Sequence, residues 1–157
     1  MPEVQVTEAV IDDIPQLGSI AYSVARTHYQ KTEKEFKEPT PADQTEYIRK
    51  CISDDGILTL KAQMGDEVVG YVVVYFNTFP DKYFQFSKRA FIGSIGVAEN
   101  HRRQGVGKAL LKAVENEVKK HNISIIEIDY YTFNVAAENL YKSLGYQENK
   151  RYMRKFI

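Results

Sequence analysis

Tryptophan is absent from this chain, cysteine occurs once, and 21 basic residues are cancelled by 21 acidic ones. Each shortage excludes something. With Cys51 alone no internal disulfide can form, which fits a reducing compartment. His28, His101 and His121 stand at no metal-ligand spacing with Cys51 or with one another, so no metal is expected. Zero net charge provides no broad field to attract nucleic acid or an anionic lipid surface. No apolar run approaches the ~20 residues of a membrane span. Met1-Pro2-Glu3 does not begin a secretory signal. The expectation is a cytoplasmic protein, a monomer or homodimer, with neither nucleic acid nor membrane as partner. Its 157 residues suffice for one ordinary domain over 1–157.

What is present is an alternation of short strand and helix patterns. Val4 to Ala9 alternates as a first strand, and Asp12-Asp13 with Pro15 opens a helix striped by Ile14, Leu17, Ile20, Ala21 and Val24 to about His28. The charged stretch from Tyr29 to Thr40 reads as a loop, followed by a helix from about Ala42 to Ser53. Strands at 57–62 and 68–76 flank Gly65-Asp66, which suits a hairpin turn of the Gly-X kind. A loop at 77–88 precedes a strand at 90–97 and a helix at about 105–120. The remaining pattern is a strand at 124–131, a helix at 135–144 and a last strand at 146–156. The class is α/β with one mixed sheet.

The most informative stretch is Arg102-Arg103-Gln104-Gly105-Val106-Gly107-Lys108. It follows the apolar run Phe91-Ile92-Gly93-Ser94-Ile95-Gly96-Val97 and opens a helix. The first N–H groups of a helix lack intrahelical partners and sit at the positive end of its dipole. Gly105 and Gly107 let an anion approach the backbone, and Arg102 and Lys108 add charge. A pyrophosphate would suit such a loop. It is not a P-loop, because Arg102 stands where the first glycine belongs and Ala109 where Ser or Thr belongs. Nor is it a dinucleotide fingerprint, whose third glycine is replaced by Leu110.

Downstream, residues 134–146 read Asn-x-x-Ala-x-x-Leu-Tyr-x-x-x-Gly-aromatic, from Asn134 through Tyr141 to Tyr146. In this order and spacing the two motifs resemble those of the GNAT (Gcn5-related N-acetyltransferase) family, specifically from about Phe91 to Tyr146. The resemblance implies a mixed sheet of about six to seven strands with about four helices. It also implies a splay between the strands at 90–97 and 124–131. Acetyl-CoA would be the co-substrate. Its pantetheine arm would pair with the backbone of Ile95 and Val97, and its pyrophosphate with N–H groups of Arg102, Arg103, Gln104, Gly105, Val106, Gly107 and Lys108. The implied reaction moves acetyl directly to a primary amine of a small molecule, peptide or protein. The alternative is a non-catalytic acyl-CoA-binding or sensing domain, which needs the loop but no acid.

Tyr141 matches the family's proton donor to the leaving thiolate, a part a phenol within hydrogen-bond range can play. Asn134 caps its helix and by resemblance also contacts the cofactor, as Asn139 would; a solvated helix face is the plainer reading of Asn139. The general base is missing where the histone-acetylating branch carries glutamate, because Phe91 occupies that position. Glu127 and Asp129 share a face of the next strand, and Asp129 is the better candidate because it lies nearer Tyr141. The plain reading of both is a surface or salt-bridge carboxylate. The acceptor site is expected from Tyr29, Glu33, Glu35, Phe36 and Glu38 in one loop and Phe79, Asp81, Tyr83, Phe84 and Phe86 in the other.

Overall fold

The run Val68–Val74 is buried along its whole length, which only a strand covered on both faces can achieve. It forms the middle of β3 (Glu67–Thr78) in a five-stranded sheet of order β1-β2-β3-β4-β5. The computed structural model describes residues 3–32, 34–79 and 82–157. β1 (Val4–Glu8), β2 (Ile57–Met64), β3 and β4 (Lys88–Val97) pair antiparallel in sequence. β5 (Ile126–Ile128) joins β4 in parallel. At the β2–β3 turn Gly65 takes φ 62° while Asp66 keeps a negative φ, as the Gly-X turn requires.

Two layers of helix cover the sheet. On one face α1 (Ile14–Lys31) and α2 (Pro41–Ser53) bury Leu17 and Ile48 against Tyr71 and Val73. On the other, α3 (Val106–Lys120) and α4 (Val135–Ser143) pack on Val72 and Val74 through Leu110, Leu111, Val114 and Tyr141. The period-2 alternation of β3 thus sorts its side chains between two cores.

Thr40 starts α2 by accepting the Asp43 N–H at 3.1 Å while its hydroxyl donates to the Asp43 carboxylate at 2.8 Å. Asn134 caps α4 in the same manner, accepting the Ala137 N–H at 3.1 Å. Asp13 departs from expectation. It stands at the start of α1 without capping it. One carboxylate oxygen accepts the Val10 N–H and the other holds Lys61 Nζ at 2.7 Å, in a pair almost closed to solvent.

Three further expectations are corrected. α1 runs on to Lys31, so the first loop begins three residues later than its charge pattern suggests. β5 is three residues long rather than the eight of 124–131. The strand expected at 146–156 is not formed: from Gln147 to Ile157 the chain is exposed and pairs with no strand, so the sheet has five strands among the described residues. An alternating pattern signals that a segment suits a ladder, but the ladder also needs a neighbour, which no local pattern supplies.

Candidate active site: the gap beside β4 and its glycine loop

The site begins with a bulge. β3 pairs Val73 with Ser94 and Val74 with Ile92, which leaves Gly93 as an extra residue on β4. A Cβ at Gly93 would lie 2.2 Å from Tyr75 Cε2, so only glycine fits against that ring. The pairing of β4 with β5 covers Ala90, Phe91 and Ile92 and stops there. From Gly93 to Val97 the β5-facing edge of β4 has no strand beside it. This is the expected splay, and the bulge gives it a position.

The backbone polarity of that edge follows from one bond. The Ala98 N–H donates to the Val69 carbonyl at 2.8 Å, toward β3. Alternation along the strand then turns the N–H and C=O groups of Ile95 and Val97 the other way, into the gap. Consistent with this, the Val97 carbonyl accepts from Arg102 Nε at 3.4 Å.

The glycine loop closes one end of the gap. A short 3₁₀ turn at Glu99–His101 leads to Arg102, and Gln104 Nε2 donates to the Asn100 carbonyl at 3.0 Å, pinning the loop. Arg103 (φ 60°) and Gly105 (φ 85°) both take left-handed backbone, a pattern that turns successive N–H groups toward one concavity. No side chain caps the N-terminus of α3. Nothing lies within 4 Å of where a Cβ at Gly105 would stand. Arg102, Arg103 and Lys108 are in no ion pair among the described residues. Open space, free amides and unpaired cations coincide. Gly107 is also tight against the next helix: its Cβ would meet Leu140 Cδ2 at 3.0 Å, so it eases the packing of α4 on α3.

Tyr141 projects from α4 into the core beneath this region and is 5% exposed. Its ring meets Tyr130, just past β5, at 5.8 Å and Tyr146 at 5.9 Å. Its hydroxyl has no hydrogen-bond partner among the described residues. Burial, helped by Tyr146 and Asp129, pushes the phenol up to about 12. Tyr141 therefore stays protonated at neutral pH. Asn139 lies on the exposed face of its helix.

The two acidic candidates separate. Glu127 is bound by Arg89 Nη1 at 2.7 Å, and the same guanidinium lies over Phe79 and Phe84 at 4.8 and 4.6 Å. It is a structural carboxylate. Asp129 lies just beyond the end of β5, exposed and in no ion pair among the described residues. Phe91 sits opposite Glu127 in the ladder.

The loops expected to receive the acceptor also separate. Phe79 and Phe84 gather around Arg89 at the start of β4, away from the glycine loop. The α1–α2 loop instead reaches the exit of β5, where the Tyr131 hydroxyl donates to Glu35 at 2.8 Å and Arg154 pairs with the same oxygen at 2.6 Å. Those two partners hold the Glu35 carboxyl below the usual range. Phe36, His28 and Phe133 complete an aromatic cluster on Tyr131 at 5.4–5.9 Å. Glu33 and Asp81 lie outside the described residues. Sequence reasoning missed His28, Tyr131, Phe133 and Arg154. The density of aromatics at 130–133, directly after a strand, was the signal available for two of them. No group of residues able to hold a metal occurs among the described residues, and no helix there is long and apolar enough to cross a membrane.

Comparisons with known proteins bear on the family and the fold. The chain is 34% identical over 93 residues to an N-alpha-acetyltransferase of Sulfurisphaera tokodaii, covering 57% of this chain and 56% of that protein. It is 32% identical over 114 residues to the L-ornithine N5-acetyltransferase NATA1 of Arabidopsis thaliana, covering 72% and 49%. The chain thus spans about half the length of the curated relatives it matches. A crystal structure of a tetramutant of the BH1408 protein from Bacillus halodurans superposes with a TM-score of 0.90 at 23% identity, over 98% of this chain and 99% of that one, which shows the shared fold. Residues 22–146 match the profile of the acetyltransferase (GNAT) family. On that match, and with the splayed strands and glycine loop in place, the chain belongs to the GNAT acetyltransferase family.

Proposed function

We propose that this protein is an N-acetyltransferase that moves acetyl from acetyl-CoA directly to a primary amine within a ternary complex. The observation that carries the reading is the open edge of β4 leading into an uncapped helix N-terminus with three unpaired cations. A long ligand with amides along its length and a pyrophosphate at one end matches that succession of free groups. The residues fit acetyl-CoA in this way: Ile95 and Val97 present backbone groups to its arm, and the backbone of 103–108 with Arg102, Arg103 and Lys108 takes the phosphates. When bound, acetyl-CoA supplies a thioester whose acyl carbon the amine attacks and whose sulfur leaves.

Tyr141 then serves that sulfur as a donor. Its phenol, at about 12, lies roughly 3.5 pH units above a thiol of ~8.5, so complete transfer of its proton is uphill by roughly 5 kcal/mol. Its contribution is a hydrogen bond that strengthens as charge develops on sulfur, and the proton moves late. Asn134 holds the start of the helix that positions Tyr141. Asp129, exposed beside the exit of β5, is the carboxylate placed to take the proton that an amine near pKa ~10 must lose. The acceptor amine enters on the α1–α2 side, along the wall formed by His28, Glu35, Phe36, Tyr131 and Phe133. Ornithine-like amines and peptide N-termini are the first acceptors to try, given what the two relatives are named for.

The test is release of CoA from acetyl-CoA over a panel of diamines, amino acids, aminoglycosides and peptide N-termini. Turnover with one class supports the reading. Tight CoA binding with no acceptor turned over would favour a binding or sensing domain instead.

A further inference from the structure

Between Gly93 and Val97, where β4 has no strand beside it, Ser94 is the only polar side chain. It pairs with Val73, which lies with Tyr71 in the core beneath α1 and α2, so its hydroxyl stands on that face of the sheet. There it meets the Tyr71 hydroxyl at 2.8 Å. Tyr71 is 1% exposed, and its ring packs against Gly96, where a Cβ would lie 2.6 Å from Cε1. Its hydroxyl has no other hydrogen-bond partner among the described residues. Burial pushes the phenol up to about 12, so it keeps its proton at neutral pH. That proton has one acceptor within reach, Ser94 Oγ. A serine hydroxyl carries one proton and two lone pairs. Accepting from Tyr71 leaves Ser94 one lone pair and its own proton, in a half-buried position at the open edge of β4.

Folding alone does not call for this pair, since two bonded polar groups replaced together by apolar groups of the same shape leave stability nearly unchanged. What sets the pair apart is its position. The ladder sets Phe91 opposite both Tyr75 and Glu127, which puts Glu127 on the same face as Ser94. Asp129, two residues further, follows it. One residue past the last β4–β5 pair, Ile92 with Ile128, Asp129 flanks the gap from the β5 side and Ser94 from the β4 side. We propose that Ser94 binds the attacking nitrogen of the acceptor, its hydroxyl oxygen accepting one N–H, and that Tyr71 positions Ser94 from the core. This role presupposes acetyl transfer in the gap. A neutral primary amine has two N–H groups and one lone pair. Holding one N–H on the α1–α2 side turns the lone pair toward a thioester lying in the gap. The bond from Tyr71 already restrains the serine rotor, so binding the amine orders little more. Tyr141, in the core on the opposite face, serves the sulfur from the other side.

The test compares wild type with Ser94→Ala, Tyr71→Phe and the double variant, by initial rates against acceptor concentration at saturating acetyl-CoA. In Ser94→Ala, kcat/KM for the acceptor should fall about tenfold, the size of one lost hydrogen bond, with the Kd for CoA unchanged. That variant also leaves the Tyr71 phenol buried without an acceptor, so it should unfold at lower urea than wild type. The double variant removes both hydroxyls and should regain a near-wild-type midpoint while its kcat/KM stays about tenfold down. Tyr71→Phe keeps the serine and should lose less, about threefold; no loss at all would take Tyr71 out of the role. A serine present only to satisfy Tyr71 predicts a double variant with wild-type kcat/KM, and that result would overturn the proposal. So would a loss of CoA affinity as large as the loss of kcat/KM. A wild type that turns over no amine in the panel removes acetyl transfer and this role together. Wild-type turnover with an undiminished double variant removes this role alone.

Discussion

Replacing Tyr141 by phenylalanine isolates one hydroxyl. The ring is 5% exposed and packs on Tyr130 and Tyr146, contacts that phenylalanine keeps. The hydroxyl has no hydrogen-bond partner among the described residues, so its loss should change stability at neutral pH by no more than about 1 kcal/mol. CoA affinity should hold, and kcat with a working acceptor should fall by roughly ten- to a thousandfold, as expected for loss of a positioned proton donor. The same group makes a second, independent prediction at high pH. Burial raises the folded phenol to about 12, above its ordinary value of 10. Its contribution to stability is therefore fully present below pH ~10 and is lost as pH rises through the folded value. With ~1.36 kcal/mol for each pH unit of separation, about 2.7 kcal/mol over the full titration, wild type should lose roughly 2 kcal/mol more than Tyr141→Phe between pH ~10 and ~12. Urea titrations of the two proteins across that range measure the difference directly, since other buried tyrosines are common to both. Parallel alkaline curves would show that burial does not raise the Tyr141 phenol. Unchanged kcat would return it to packing alone.

Gly105→Asp should fold, because Asp tolerates left-handed backbone better than most residues and nothing lies within 4 Å of the new Cβ. A carboxylate there faces the phosphate site, so the rise in Tm produced by CoA should vanish; an undiminished rise would remove the pyrophosphate from this loop. Asp13→Ala leaves Lys61 nearly closed to solvent without its carboxylate, which should cost about 3–5 kcal/mol in urea unfolding, and a loss under 1 kcal/mol would refute that pairing as a structural element. Asp129→Asn should remove or displace the acidic limb of the pH profile of kcat/KM. A profile identical to wild type would make Asp129 a bystander and leave the amine to lose its proton through water.

Local pattern alone carried the α/β class, the element order as far as α4, the glycine loop and the cap at Asn134, because each rests on residues close in sequence. Helix starts, turn glycines and amphipathic stripes are short-range facts. The family followed from two such motifs held at fixed spacing. Tertiary structure decided what depends on a neighbour. At the bulge Gly93 lies against the Tyr75 ring, and Gly107 lies against Leu140 of the following helix. Glu127 and Asp129 look alike two residues apart, and Arg89 alone, 38 residues upstream, makes one of them structural. The wall around Tyr131 joins His28, Glu35 and Arg154 from three distant parts of the chain. The segment 147–157 has the alternation of a strand and no strand beside it. Side-chain period can specify a face, but a ladder requires two backbones, and the second one lies beyond the reach of any local pattern.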